Sequence, residues 1–120
     1  MIRVGDRASL SRSFSAADLA AFAALAGGDP VDTVPEPLIA ALFSCLLGTR
    51  LPGPGTGWLK QSLHHHAAAL PDEVLTASVQ VTRLRPEKRL ADLSCICLGA
   101  GGHTICEGRA LMLLAPGALD

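Results

Sequence analysis

The segment that most constrains the fold runs from residue 38 to residue 63 and reads LIAALFSCLLGTRLPGPGTGWLKQSL. Residues 38–47 are apolar on nearly every side, and a helix of that kind must be enclosed by other parts of the structure. The Pro- and Gly-rich corner at residues 51–55 then turns the chain, and a strand is predicted from Trp58 to His66. The sequence therefore predicts a buried helix followed by a sheet.

The chain in front of this segment predicts one strand and one helix. Residues 7–14 alternate weakly, as in a short strand. Ser15 and Asp18 form a capping-box pattern at the start of an Ala-rich helix, residues 16–26, which Gly27 and Gly28 end. Pro37 suits the first turn of the apolar helix, and Gly48 is expected to end it.

The second half of the chain has the two-residue period of β-strands. In residues 73–84, Leu75, Ala77, Val79 and Val81 alternate with Thr76, Ser78, Gln80 and Thr82. Residues 89–98 and 104–114 flank a glycine-rich turn and indicate a hairpin. One apolar helix and a run of long antiparallel strands predict an α+β fold, a sheet curled around a helix, as a single domain over residues 1–120.

Composition excludes several functions. The formal net charge is −1, and the basic residues are scattered, whereas a nucleic-acid interface needs them clustered. The longest apolar run is about half of what a membrane span needs, and the N-terminus has no apolar leader segment. The four cysteines form no CxxC pair, so we expect reduced core thiols, Cys45 included, no metal site and a cytoplasmic protein.

The order and spacing of these pieces resemble the MaoC-like (R)-specific enoyl-CoA hydratases, which have the hot-dog fold. The similarity covers VGDRASLSRSFSAADLAAFAALAG (4–27), LIAALFSCLLGTRLPGPGT (38–56), WLKQSL (58–63), DEVLTASVQVTRLRPEK (72–88) and EGRALML (107–113). The resemblance implies a homodimer, or a partnership with a MaoC-like subunit, and an acyl or enoyl thioester as substrate. Coenzyme A or a carrier protein would carry that thioester, and no other cofactor is expected.

The catalytic loop departs from that family. In the family it reads Gly-Asp-x-Asn-Pro-x-His, then an overhanging segment, then His-Gly-Met at the start of the buried helix. Here Asp29 falls on the Asn, or on the catalytic Asp if a gap is allowed, and Asp32 falls where the His should be. The overhang is nearly gone, and Pro35, Glu36 and Pro37 replace His-Gly-Met.

These changes affect the expected chemistry. Adding water to an enoyl thioester needs a base and an acid within hydrogen-bond reach, and two carboxylates without a His would need one strongly raised pKa. The substrate oxygen also needs N–H donors, which Pro35 and Pro37 lack. Glu36 keeps an N–H, although its carboxylate would repel an oxyanion unless it points away. The ordinary hydratase mechanism is therefore not expected.

Each candidate site residue has a structural alternative. Asp29, Asp32 and His65 are the predicted acids and bases; the aspartates alternatively cap turns, and His65 alternatively belongs to a solvated His64–His66 cluster. On a strand His65 takes the face opposite His64 and His66, with Leu59, Gln61 and Leu63. The predicted substrate-binding residues are Glu36, Trp58 and Gln61; Glu36 alternatively caps the helix, and Trp58 alternatively packs in the core or a dimer.

Two functional hypotheses remain open from the sequence. One is a diverged dehydratase- or hydratase-type lyase, or a cyclase or isomerase, acting on an acyl thioester or polyketide-like intermediate. The alternative is a catalytically inactive hydratase-like subunit, or an acyl-binding partner of an intact MaoC-like chain.

Overall fold

Five strands form one antiparallel sheet in the computed structural model, which describes residues 1–120. The sheet order is β1-β3-β4-β5-β2, so β1 and β2 are its edges. The α+β prediction is confirmed. In chain order the elements are β1 (Arg7–Arg12), α1 (Ala16–Ala26), α2 (Glu36–Thr49), β2 (Gly57–His65), β3 (Leu75–Arg85), a short 3₁₀ turn (Pro86–Lys88), β4 (Leu90–Leu98) and β5 (Thr104–Leu113).

Helix α1 begins and ends as its sequence predicts. The Ser15 hydroxyl accepts a hydrogen bond from the Asp18 N–H at 3.1 Å, and the Asp18 carboxylate accepts one from the Ser15 N–H at 2.9 Å. The bond from the Ser15 amide lowers the pKa of Asp18. Gly27 ends the helix with φ at 82°, a left-handed conformation that glycine adopts without strain.

Helix α2 packs one face against the sheet and leaves the other open. Ile39, Leu42, Phe43 and Leu46 are buried in the main core cluster. Cys45 lies on the opposite face and is exposed, so its predicted place in the core is wrong. Because the sheet covers only one side of the helix, an apolar sequence on every side does not make every side buried. The helix also continues through Gly48 to Thr49.

The inner face of the sheet closes the core. Leu75, Ala77, Val79 and Val81 are at most 1% exposed, as their alternation predicts. On the outer face Ser78 is also buried, because it lies mid-sheet between Ser9 of β1 and Ile96 of β4.

Strand β2 is irregular near its start. The pairing with β5 shifts between Trp58 and Lys60, a β-bulge that leaves Leu59 without a partner. Leu59 is 54% exposed and does not share the half-buried face of His65, contrary to the sequence prediction. Farther along, Leu63 pairs with Gly108 of β5, and a Cβ at Gly108 would overlap the Ser62 carbonyl oxygen. Glycine at this position therefore allows the two strands to approach.

One backbone hydrogen bond joins the loop before α2 to the segment after β2, and a second continues the pairing of β2 with β5. The Val34 N–H, in the loop before α2, donates to the Ala69 carbonyl at 2.8 Å. The His66 N–H donates to the Ile105 carbonyl, also at 2.8 Å. Val34 and Ala69 are both buried, so this crossing is shielded from water. No helix of the structure has the length and apolar character needed to cross a membrane.

Candidate active site

An open cleft of about 460 Å³ lies where the N-terminus of α2 meets the end of β2. Its walls combine the loop before α2, the first turn of that helix and the residues that follow β2. The lining residues are Thr33, Val34, Pro35, Glu36, Ile39, His65, His66, Ala67 and Ala68.

Glu36 and His65 face each other across this cleft. The distance from Glu36 Oε2 to His65 Nδ1 is 3.4 Å. The Glu36 side chain is 64% exposed, whereas that of His65 is 22% exposed and its Nδ1 atom is buried without a hydrogen bond. Glu36 is the first residue of α2, so its N–H projects from the helix end while its carboxylate turns toward the imidazole. The arrangement supplies a solvent-accessible carboxylate with an imidazole beside it.

The other ring nitrogen of His65 points into the protein. His65 Nε2 lies 3.9 Å from the Sγ atom of Cys106, the residue directly opposite on β5. Burial, with smaller contributions from the charges of Glu36 and Glu107, raises the pKa of the Cys106 thiol to about 11. The thiol therefore stays protonated at neutral pH. Glu36, His65 and Cys106 form a line of carboxylate, imidazole and thiol from the cleft inward.

The structure does not bring Asp29 and Asp32 to His65. Both lie exposed in the loop between α1 and α2, and neither lines the cleft. Neither carboxylate makes a side-chain hydrogen bond, so the structure also contains no turn or cap bond from either of them. Their catalytic role stays a prediction.

Of the predicted substrate-binding residues, only Glu36 lines the cleft. Trp58 is at the opposite end of β2, 59% exposed, beside a smaller cavity of about 130 Å³ that it shares with Ser44, Gly48 and Met112. Gln61 is half-buried between the two ends, beside the Cys95 thiol, and its Nε2 atom is buried without a hydrogen-bond partner.

The neighbouring histidines lie on the outer face of β2 and beyond its end. His64 is exposed, and His66 Nε2 contacts Glu107 Oε1 at 3.0 Å. No three metal-ligating side chains converge anywhere in the structure.

Sequence reasoning missed two features of the site. It paired His65 with the loop aspartates rather than with Glu36, and it assigned Cys106 only to the core. The acidic residue at the helix start was a visible signal for Glu36. The Cys106 contact depends on the strand register, which a single sequence does not give.

The sheet order and the helix packed against one face of the sheet place the protein in the hot-dog fold class. The solved structure of an (R)-hydratase from Aeromonas caviae, described as involved in PHA biosynthesis, superposes with a TM-score of 0.87 at 36% identity, covering 94% of this chain and 97% of that one. No family model matches the sequence.

Two curated relatives define the family. An (R)-specific enoyl-CoA hydratase of Aeromonas caviae is 38% identical over 128 residues, covering 94% of this chain and 96% of that protein. The same description applies to a relative from Rhodospirillum rubrum, 33% identical over 132 residues, covering 94% of this chain and 88% of that protein. The chain therefore belongs to the MaoC-like (R)-specific enoyl-CoA hydratase family, as the resemblance predicted.

Proposed function

We propose that this protein is a diverged hydratase- or dehydratase-type lyase for enoyl or hydroxyacyl thioesters, in which Glu36 performs the acid–base chemistry and His65 positions its carboxylate. The observation that carries the proposal is the contact of their side chains in an open cleft at a helix N-terminus. The substrate would arrive as a thioester of coenzyme A or of a carrier protein, with no further cofactor.

The geometry supports a balanced addition of water. The exposed Glu36 carboxylate takes a proton from water, and the water oxygen forms a bond to the β-carbon of the enoyl group. The α-carbon then takes the proton back from Glu36, which regenerates the carboxylate. His65, 3.4 Å away, orients that carboxylate through Nδ1. Dehydration follows the same steps in reverse.

The helix end supplies stabilisation for the thioester oxygen, which becomes negative as water adds. The Glu36 N–H projects from the first turn of α2, and the helix dipole favours negative charge there. Pro35 and Pro37 contribute no N–H, so this amide is the donor that the three residues offer. The Glu36 carboxylate lies 3.4 Å from His65, and we expect the substrate oxygen to approach the amide rather than the carboxylate.

An open cleft favours a bulky substrate. The loop between α1 and α2 has only nine residues, 27–35. The match to the Aeromonas caviae hydratase spans 128 positions, but 94% of this chain is only about 113 residues, so about 15 positions of the relative have no counterpart. These lengths support the loss of an overhanging segment. A polyketide-like intermediate is then a suitable substrate, for dehydration, a double-bond shift or a cyclisation.

Hydration of enoyl-CoA substrates tests the proposal directly. Loss of the conjugated thioester absorbance would be followed with crotonyl-CoA and with longer, branched and aromatic enoyl-CoAs. We expect turnover that falls about 10²–10⁴-fold in Glu36→Gln, the usual contribution of a general acid or base. The loss in His65→Gln should be smaller, because His65 only positions the Glu36 carboxylate. Asp29→Asn and Asp32→Asn are the matched loop controls and should retain activity.

Two results would contradict the proposal. If Asp32→Asn abolished turnover while Glu36→Gln retained it, the loop would be the catalytic centre. If folded protein turned over none of the enoyl-CoAs in either direction, the lyase assignment would be wrong.

The alternative function, a non-catalytic subunit or acyl-binding partner, is favoured by the free edge of the sheet. Strand β2 is an edge strand and exposes Trp58 and Leu59, at 59% and 54%. An edge of this kind suits pairing with a second chain, either another copy or an intact MaoC-like subunit. Co-purification distinguishes the two: a tight complex with an intact MaoC-like chain supports the partner role, whereas an active homodimer supports the enzyme.

A further inference from the structure

Cys106 has a contact that core packing does not require. Its Sγ atom lies 3.9 Å from His65 Nε2, and the side chain is fully buried. On the other side of the same ring, Nδ1 lies 3.4 Å from Glu36 Oε2. The imidazole is therefore held between a thiol and a carboxylate.

The thiol has a proton that it can donate to His65. The pKa of Cys106 is raised to about 11, so the sulfur carries its proton at neutral pH. No other hydrogen-bond partner of the Cys106 side chain is present. A neutral imidazole has one donor nitrogen and one acceptor nitrogen. If Nε2 accepts the S–H, the ring proton must be on Nδ1, facing Glu36.

The opposite tautomer is electrostatically unfavourable. It would place the Nδ1 lone pair against a carboxylate oxygen at 3.4 Å, and two acceptors at that distance repel each other. It would also direct Nε2–H at a protonated sulfur, which is only a weak acceptor. The contacts on both sides of the ring thus favour the same proton position.

We propose that Cys106 is a positioning residue that fixes His65 in the Nδ1–H tautomer, so that the N–H dipole of the ring faces the Glu36 carboxylate. The consequence for catalysis rests on the function proposed above, but the proton position does not. Which ring nitrogen of a functional histidine carries the proton is commonly set by the partner of the other nitrogen. Cys106 does not itself act as a nucleophile, because it is fully buried and protonated.

Nuclear magnetic resonance of ¹⁵N-histidine-labelled full-length protein tests the proton position. The spectra are recorded at about pH 9, where an imidazole is ordinarily neutral, and the His65 signals are identified by their loss in His65→Gln. We expect the Nδ1–H tautomer in the wild type and in Cys106→Ser, whose hydroxyl also donates. In Cys106→Ala, which has no donor, the Nε2–H form should gain population relative to the wild type, because only the Glu36 carboxylate then favours a proton on Nδ1.

Cys97→Ala is the matched control. Cys97 is also fully buried and pairs with Cys106 across β4 and β5, but it makes no hydrogen bond to His65. This variant removes the same atom from the core and should leave the His65 tautomer unchanged. An Nε2–H tautomer in the wild type, or an unchanged tautomer in folded Cys106→Ala, would overturn the inference.

Enoyl-CoA kinetics then separate the inference from the proposed function. We expect kcat to fall about 10- to 100-fold in Cys106→Ala, the size typical of losing a group that orients a functional histidine, with KM little changed. Cys106→Ser, which keeps a donor, should retain most of the wild-type kcat. Turnover without the tautomer shift overturns the role of Cys106, whereas the tautomer shift in a protein without turnover overturns only the proposed function.

Discussion

A glutamate meets a histidine at three places in this protein, and two of these contacts, at Glu73 and at Glu36, differ in what surrounds them. Glu73 has a 12% exposed side chain and accepts hydrogen bonds from the Leu70 and Ala100 amides, each at 3.0 Å, with His103 Nε2 3.9 Å away. Glu36 is 64% exposed and has only His65, at 3.4 Å. The Glu73 carboxylate already accepts two backbone hydrogen bonds, whereas the Glu36 carboxylate accepts none and can bind another group.

This difference separates a structural contact from a chemical one. The hydrogen bonds from Leu70 and Ala100 lower the pKa of Glu73 and tie the loop before β3 to the hairpin between β4 and β5. A carboxylate held in that way has little capacity left for a substrate. Glu36 faces an open cleft of about 460 Å³ and is therefore free for the chemistry proposed above, although the two contacts join the same types of residue.

The largest expected effect concerns activity. Glu36→Gln should reduce enoyl-CoA turnover about 10²–10⁴-fold. It should change the free energy of unfolding by less than about 0.5 kcal/mol, as surface substitutions usually do. Glu73→Gln should leave turnover per folded molecule intact. Enzyme kinetics and urea unfolding would be measured for both variants. If Glu36→Gln destabilised the protein as much as Glu73→Gln does, the contrast between the two glutamates would be wrong.

The next effect concerns the strand that carries His65. Gly108→Ala places a Cβ against the Ser62 carbonyl, so β2 must move, at a cost of about 1–3 kcal/mol in the free energy of unfolding. Hydrogen exchange should accelerate in β2 before it does around Glu73. Gly48→Ala, in open space on α2, is the control and should stabilise by about 0.5–1 kcal/mol. If hydrogen exchange in Gly108→Ala accelerated equally in β2 and around Glu73, the two glutamate–histidine contacts would not differ in local stability.

Glu73→Gln should destabilise the protein by about 1–2 kcal/mol at neutral pH, because two charge-assisted bonds become weaker. The pKa of Glu73 is lowered in the folded state, so its contribution is present above the ordinary pKa and is lost as pH falls through the folded value. Urea unfolding should therefore show a difference between wild type and variant at pH 7 that shrinks below about pH 4. A difference that grew with acidity would contradict this assignment.

The smallest effect is expected at a third pair. His66 and Glu107 are 3.0 Å apart, but their side chains are 46% and 54% exposed. His66→Gln should change the free energy of unfolding by at most about 1 kcal/mol, and added salt should reduce the difference. A larger change in the free energy of unfolding that added salt did not reduce would mean that this contact is structural, as the Glu73 contact is.

Local signals made most of the fold predictable. The Ser15 capping box, the alternation of β3 and the glycine-rich hairpin turn each need only a few neighbouring residues, and each is confirmed. The packing of α2 into the core followed from its apolar sequence, but which face of the helix would be left open did not. Cys45 was misplaced for that reason.

The candidate site depended on long-range geometry. The contact of Glu36 with His65 requires the backbone hydrogen bond between Val34 and Ala69, which joins the loop before α2 to the segment after β2. It also depends on the register of β2 with β5, which shifts at the Leu59 bulge. A bulge adds one residue and reverses the side on which neighbouring side chains lie, and no local pattern announces it here. Gly108 and Cys106 were missed because their importance lies in partners from other strands.

The Leu59 bulge also limits how an additional strand can join the sheet. Main-chain groups beyond it, from Lys60 to His65, keep regular pairing with β5 on one side and are unpaired on the other. An added strand could therefore form a continuous series of backbone hydrogen bonds only along that stretch, because the irregular backbone at a bulge interrupts strand pairing. The segment that carries His65 is therefore the part of this sheet edge best suited to pairing with another strand in a fixed register. The bulge at Leu59 would end that pairing.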